Sequence, residues 1–128
     1  MTARTFHRFR DDNRGAAAIE LALVLPLFVL LILGSLGAAS LGFSVASMNY
    51  TVQAAARCAA VNKALCPTPT STVLYAQTQY SGPSISPVFV YSTVGCGNTV
   101  TATATYSFNL VPQLTNIPLS VSACRPSA

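Results

Sequence analysis

The sequence predicts an α+β protein, with a long N-terminal transmembrane and stalk helix followed by a small antiparallel β-sheet head. Three observations lead to this prediction. Between Ala16 and Gly42 the only charged side chain is that of Glu20. Beyond this run, apolar residues recur at spacings of three and four as far as Ala59, which indicates a helix with one apolar face. Residues 98–108 alternate with a period of two, which is typical of a strand.

The composition of the chain supports a membrane span. Of the 128 residues, 52% are hydrophobic and only 8% are charged, which is too apolar for an ordinary soluble protein of this size. As a helix, residues 16–42 would rise about 40 Å, which exceeds the roughly 30 Å of a hydrocarbon core. We therefore expect residues 16–42 to form the transmembrane helix and residues 43–65 to extend it. This helix should end near residues 64–66, because Pro67 and Pro69 cannot continue it.

The distribution of positive charge predicts the orientation of the span. Residues 1–15 form a basic leader, and the next basic residue is Arg57. Because basic residues favour the cytoplasmic side, we expect the leader in the cytoplasm and the head, residues 66–128, outside. In a bacterium this is a single-pass protein of the cytoplasmic (inner) membrane with a periplasmic head. The leader holds four of the seven basic residues, Arg4, Arg8, Arg10 and Arg14.

The cysteines all lie on the outer side of the span, where oxidising conditions favour two disulfides. Three pairings are possible. We favour Cys58 with Cys66 and Cys96 with Cys124, since each pair would join a local element to its neighbour. The first pair requires the helix to end between its members, because residues eight apart in a helix lie about 12 Å apart, beyond disulfide reach. A metal site is less favoured, because the outer segment has no closely spaced Cys-x-x-Cys pair and no histidine.

The head is predicted to be rich in strands. Residues 88–94, 98–108 and 118–124 have strand patterns, and a loop over 110–118 separates the last two. The segment 72–80 fits either a strand or a short helix. A sheet of this size is marginally stable alone, so we expect the disulfides and packing on the stalk to stabilise it.

The residues from Arg14 to Leu21 carry the most informative motif, because a basic segment ends in Gly15 and an apolar helix with one early carboxylate follows. This arrangement resembles the class III signal of type IV prepilins. In that family a membrane aspartyl peptidase cuts after such a glycine, and a glutamate at the fifth mature position guides assembly. The resemblance implies cleavage between Gly15 and Ala16, which would make Glu20 the fifth mature residue.

The position of Glu20 can also be interpreted physically. A carboxylate in an apolar helix costs up to a few kcal/mol and is usually retained only with a partner. The new ammonium group of Ala16 in one subunit could neutralise Glu20 of the next and set their axial register. Alternatively, Glu20 extends to the nearby interface and has no specific role. A face of small residues that would admit a second helix follows at Gly34, Ala38, Gly42 and Ala46.

Three segments together resemble the TadE-like minor pseudopilins of the tight-adherence (Flp, type IVc) pilus system. These are residues 14–34, 49–61 and 99–114. The resemblance implies a pilin-like fold, no cofactor, and a role in pilus assembly or initiation and in surface adhesion. It implies as partners a prepilin peptidase, other pilins or pseudopilins, and the inner-membrane assembly platform. Because Leu21 follows Glu20 where major pilins have tyrosine, and because a sizeable head is present, we expect a minor component. Whether it enters the filament stays open.

Other classes of protein fit the sequence less well. The segment after the span has no His, Asp or Glu to serve as a general acid or base, so we expect no enzyme. Its three scattered basic residues make no patch for nucleic acid. The remaining alternative is a secreted or anchored periplasmic domain, unrelated to pili, whose conventional signal peptide is cut before Ser40. Against it, the apolar run exceeds the roughly 7–15 residues of a signal core.

Overall fold

A computed structural model of the chain describes residues 13–108 and 115–127. The leader as far as Asp12, with its aspartates and three of its arginines, and residues 110–114 of the predicted loop lie outside the described residues. The predicted α+β architecture is confirmed, with a long apolar helix followed by a small antiparallel sheet. The elements are α1 (Asn13–Val61), α2 (Pro69–Gln79), β1 (Val88–Ser92), β2 (Asn98–Phe108) and β3 (Thr115–Arg125).

Helix α1 is one continuous helix of 49 residues, with Pro26 inside it. It ends at Val61, before the expected boundary near residues 64–66. After it, the backbone carbonyl of Asn62 accepts the N–H groups of Leu65 and Cys66 in a single isolated turn, at 3.2 and 2.9 Å. The side-chain oxygen of Asn62 also accepts the N–H of Leu65 at 3.1 Å. Asparagine thus offers the backbone a local turn that competes with the helix.

Helix α2 resolves the ambiguous segment 72–80 in favour of a helix. Its N-cap is Thr68, whose hydroxyl accepts the backbone N–H of Ser71 at 3.2 Å, while the Ser71 hydroxyl accepts the N–H of Thr68 at 3.0 Å. This reciprocal pair satisfies backbone donors that a helix start leaves unpaired, and Pro69 suits the first helical position. Thr72 and Ala76 lie one turn apart and are buried.

The sheet is antiparallel with strand order β1-β2-β3. Strand β2 has the predicted bounds, whereas β1 ends at Ser92, two residues before the expected Val94. Strand β3 begins at Thr115, so the prediction of a loop as far as Pro118 was wrong at its C-terminal end. Pro118 pairs with Thr105 in β2 and is tolerated because β3 is an edge strand, where a missing N–H need not break a ladder.

The core of the head lies between the second half of α1, helix α2 and one face of the sheet. The chain divides into two compact units between Leu36 and Gly37, and the second contains this core. Two buried hydroxyls of α1 are satisfied within the helix, because Ser44 and Thr51 each donate to the carbonyl four residues earlier, at 2.9 and 2.8 Å. Hydrophobic members of the core are Met48, Val52, Ala55, Ala56, Ala76, Phe89, Val100 and Ala102.

Candidate assembly site in the N-terminal helix

The proposed processing and assembly residues all lie in the first turns of α1. The helix begins at Asn13, so the bond between Gly15 and Ala16 is already within helical backbone. Ala16 and Glu20 are four residues apart, which places both on the same side of the helix, about 6 Å apart along its axis. This spacing is short enough for neighbouring helices, offset axially by about one turn, to bring an Ala16 beside a Glu20.

These residues are open to their surroundings. Residues 15–20 are all exposed, and a Cβ added at Gly15 would meet no other atom within 4 Å. The described part of the chain therefore leaves the Gly15–Ala16 bond accessible and leaves the Glu20 side chain uncovered.

The part of α1 that follows these first turns, as far as Leu36, is apolar on every side. Its large hydrophobic side chains between Ile19 and Leu36 are between 43% and 75% exposed. From Gly15 to Val61 the helix is long and apolar enough to cross a membrane. A helix that is hydrophobic all round is stable only in lipid or when covered by other protein. The length and composition are thus compatible with a single-pass membrane anchor.

The small residues at four-residue spacing form an open face of α1. A Cβ added at Gly34 or Gly42 would meet nothing within 4 Å. Ala38 and Ala46 are exposed. The small-residue face therefore has room for the close approach of another helix.

Both disulfides have the pairing that we favoured from the sequence. Cys58 is joined to Cys66 with 5.8 Å between the Cα atoms, and Cys96 is joined to Cys124 with 6.2 Å between the Cα atoms. The first bridge is possible because α1 ends at Val61, between its two members. Within the described ranges no three His, Cys, Asp or Glu side chains come together as metal ligands.

A second polar feature of the head was missed by the sequence reasoning. It is a cleft of about 460 Å³ at the C-terminal end of α1, and Arg57 and Arg125 both belong to its lining. The sequence held one signal that could have indicated it, because residues 37–128 contain three cations and no Asp or Glu. The lining is formed by Tyr50, Gln53, Ala54, Arg57, Cys58, Val61, Asn62, Leu65, Tyr75 and Arg125.

An apolar helix long enough to span a membrane, followed by a disulfide-linked α+β head, is compatible with the class of helix-anchored proteins. Residues 15–57 match the model of one family in this class, described as TadE-like protein. The resemblance to the TadE-like family of the tight-adherence pilus system is thereby confirmed over this segment, and the match supports involvement in that system. The match to this family suggests interaction with other pilus components.

The matched segment begins at Gly15 and ends at Arg57, so it includes the proposed assembly residues and most of the second resembling segment. The third resembling segment, which begins at Thr99, lies outside the match. No curated protein and no solved structure matches the chain.

Proposed function

We propose that the chain is a minor pseudopilin of a tight-adherence pilus, which is processed between Gly15 and Ala16 and takes part in pilus assembly or initiation and in surface adhesion. The observation that carries this proposal is the order of three features at the start of α1. An exposed glycine precedes an apolar helix, Glu20 follows one turn after Ala16, and the TadE-like match begins at that same glycine.

The location of the protein follows from the same features. The basic leader precedes the span and stays in the cytoplasm of the bacterium, while the disulfides belong in an oxidising periplasm. Residues 1–15 then form the leader, 16–42 the span in the inner membrane, 43–65 the periplasmic extension and 66–128 the head. The prepilin peptidase cuts the leader on the cytoplasmic face.

The chemistry of processing suits a glycine inside helical backbone. A peptidase requires an extended substrate, so the first turn of α1 must unwind before the Gly15–Ala16 bond is cut. Glycine is about 1 kcal/mol less favourable in a helix than alanine, which lowers the cost of this unwinding. The absence of a Cβ also lets the backbone approach a catalytic site closely.

Cleavage creates the partner that Glu20 requires. The new N-terminal ammonium of Ala16 and the Glu20 carboxylate of an adjacent subunit neutralise each other in lipid, where an unpaired charge is costly. Because this pair forms only at one axial offset, it sets the register between subunits. The small-residue face at Gly34 and Gly42 allows the helices to pack closely once the register is set. The other pilins or pseudopilins and the assembly platform are the partners in this step.

The processing site is tested with a bulky residue at position 15. Gly15→Leu should leave the precursor uncut, because the side chain obstructs the approach of the peptidase to the scissile bond. Immunoblotting of the native host should show a species larger by the leader. Gly34→Leu adds the same side chain elsewhere in α1 and should be cut normally. N-terminal sequencing of the parent protein should give Ala16, whereas Ser40 would show a conventional signal peptide and defeat the proposal.

The role of Glu20 is tested separately from cleavage. Glu20→Ala should be processed normally but should associate with other pilus subunits about tenfold less, because the Ala16 ammonium then lacks its counter-charge. Glu20→Gln should behave like Glu20→Ala, since it keeps the size and loses the charge, and Glu20→Asp should recover part of the association. The measurement is co-purification of pilus subunits in detergent, together with a count of pili by electron microscopy. Full association of Glu20→Gln would reduce Glu20 to a bystander.

A further inference from the structure

The cleft at the end of α1 holds most of the positive charge of the second compact unit, residues 37–128. Residues 37–128 contain only three cationic side chains, Arg57, Lys63 and Arg125, and two of them line this cleft. The third is used locally, because the Lys63 ammonium donates a hydrogen bond to the carbonyl of Ala59 at 2.6 Å near the end of α1. Such a bond satisfies a carbonyl that the helix end leaves unpaired. The two arginines therefore dominate the charge of the cleft.

No carboxylate side chain of this unit can neutralise these arginines, because residues 37–128 contain no Asp or Glu. The guanidinium group has five N–H donors in a planar fork that matches a carboxylate. Two such groups in one cleft leave many donors for few acceptors. Both arginines are exposed, so the cleft presents an accessible positive surface that is complementary to an acidic partner.

An excess of donors continues next to Arg125. Asn98 lies directly opposite Arg125 in the pairing of β2 with β3, and its side chain is buried. The side-chain oxygen of Asn98 accepts the hydroxyl of Tyr91 at 2.6 Å, while its side-chain nitrogen has no hydrogen-bond partner among the described residues. A buried donor without a partner is costly, so it marks a place where an acceptor is expected. Asn98 is buried and does not line the cleft, so this donor belongs to the interior of the sheet beside Arg125.

The remaining lining suits a protein segment. Tyr50 is 69% exposed at the cleft, and Val61 and Leu65 are exposed beside it. Tyrosine and arginine are enriched among the residues that dominate the free energy of protein–protein binding. A cleft of about 460 Å³ accommodates one or two side chains of a partner, and its lining includes both apolar and charged residues.

We infer that this cleft, lined by Arg57, Arg125 and Tyr50, is a docking site for an acidic segment of a different protein. A second copy of the chain does not fit, because its head brings more positive charge and no carboxylate side chain. Glu20 of a second copy lies in the apolar half of α1 and, in the proposed assembly, is paired with Ala16. The head therefore selects a partner of another kind, whose Asp or Glu side chains enter the cleft.

This inference goes beyond the proposed processing and register of α1, and it is tested in the full chain in its native host. A photo-crosslinking amino acid is placed at Gln53, which is exposed and lines the cleft, and as a control at Gln77, which is exposed on α2 outside it. We expect the probe at position 53 to form an adduct with a different protein, and the probe at position 77 to form none. The crosslinked peptide of that protein should contain Asp or Glu. An adduct with a second copy or an acidic polysaccharide, or no adduct, overturns the inference.

Charge exchange tests the chemistry of the contact. Arg57→Glu with Arg125→Glu should reduce the adduct about tenfold, and replacement of the captured acidic residues by Lys should restore it. Lys63→Glu makes a matched change outside the cleft and should leave the adduct unchanged. The double variant Arg57→Gln with Arg125→Gln removes both charges without reversing them and should also weaken the adduct. It is a control for misfolding of the charge-reversed double variant. Insensitivity of the adduct to both double variants overturns the inference. N-terminal sequencing of these variants should still give Ala16, so a failed contact is distinguished from failed processing.

Discussion

The two halves of α1 have the same secondary structure but opposite environments. Between Gly15 and Leu36 the helix presents large hydrophobic side chains on all sides, and all of them are exposed. Between Gly37 and Val61 it carries smaller residues, and one face is buried in the core of the head, with Met48 and Val52 fully covered. The difference shows that a high content of apolar residues is not enough to bury a segment within the chain. Burial follows from whether apolar residues are confined to one face that another element can cover.

The largest effect in this comparison is expected from two phenylalanines. Phe89→Ala should lower the free energy of unfolding of the head by about 3–5 kcal/mol, because a side chain that is 5% exposed leaves a cavity. Phe28→Ala, in the first half of α1, removes a side chain that is 58% exposed and should change that free energy by no more than about 0.5 kcal/mol. Denaturant unfolding of the full chain in detergent, followed by near-ultraviolet circular dichroism, measures both. Equal losses of unfolding free energy in the two variants would mean that the two halves of α1 and the head do not differ in burial as described.

A smaller effect is expected from two glycines. Gly97 has a φ of +131°, and a Cβ there would lie 2.8 Å from the carbonyl oxygen of Arg125. Gly97→Ala should therefore destabilise the head by about 1–3 kcal/mol, since both the backbone angle and the close approach oppose a side chain. Gly34→Ala introduces a Cβ into open space within a helix and should not destabilise the head. The same unfolding assay compares them, and a neutral Gly97→Ala would contradict the close approach.

The smallest effect is expected from pH and is confined to the head. Desolvation by burial raises the pKa of the Tyr80 phenol above its usual value near 10, and its hydroxyl donates to the carbonyl of Pro83 at 2.8 Å. The folded head therefore favours the protonated phenol. This contribution to stability is fully present below pH 10 and is lost as the pH rises through the raised pKa. Tyr80→Phe should show a shallower fall in the free energy of unfolding above pH 10, and an identical slope would remove Tyr80 as the cause.

Features that depend on neighbouring residues could be predicted from the sequence alone. The charge-free run from Ala16 to Gly42, interrupted only by Glu20, predicts the long helix because a span needs only length and apolar composition. The alternation over residues 98–108 predicts β2, because one face of a strand is buried and the other is not. The motif from Gly15 to Glu20 is equally local, so the amino-acid order was sufficient to identify the candidate assembly site.

Features that depend on distant residues required the folded chain. Segment 72–80 fits two patterns, and the capping of α2 by Thr68 together with its packing against β1 selects the helix. The order of the strands and the register that places Asn98 opposite Arg125 require the whole head to fold. The cleft shared by Arg57 and Arg125 depends on that folding as well, because periodic patterns report neighbours along the chain and carry no information on which remote residues will meet.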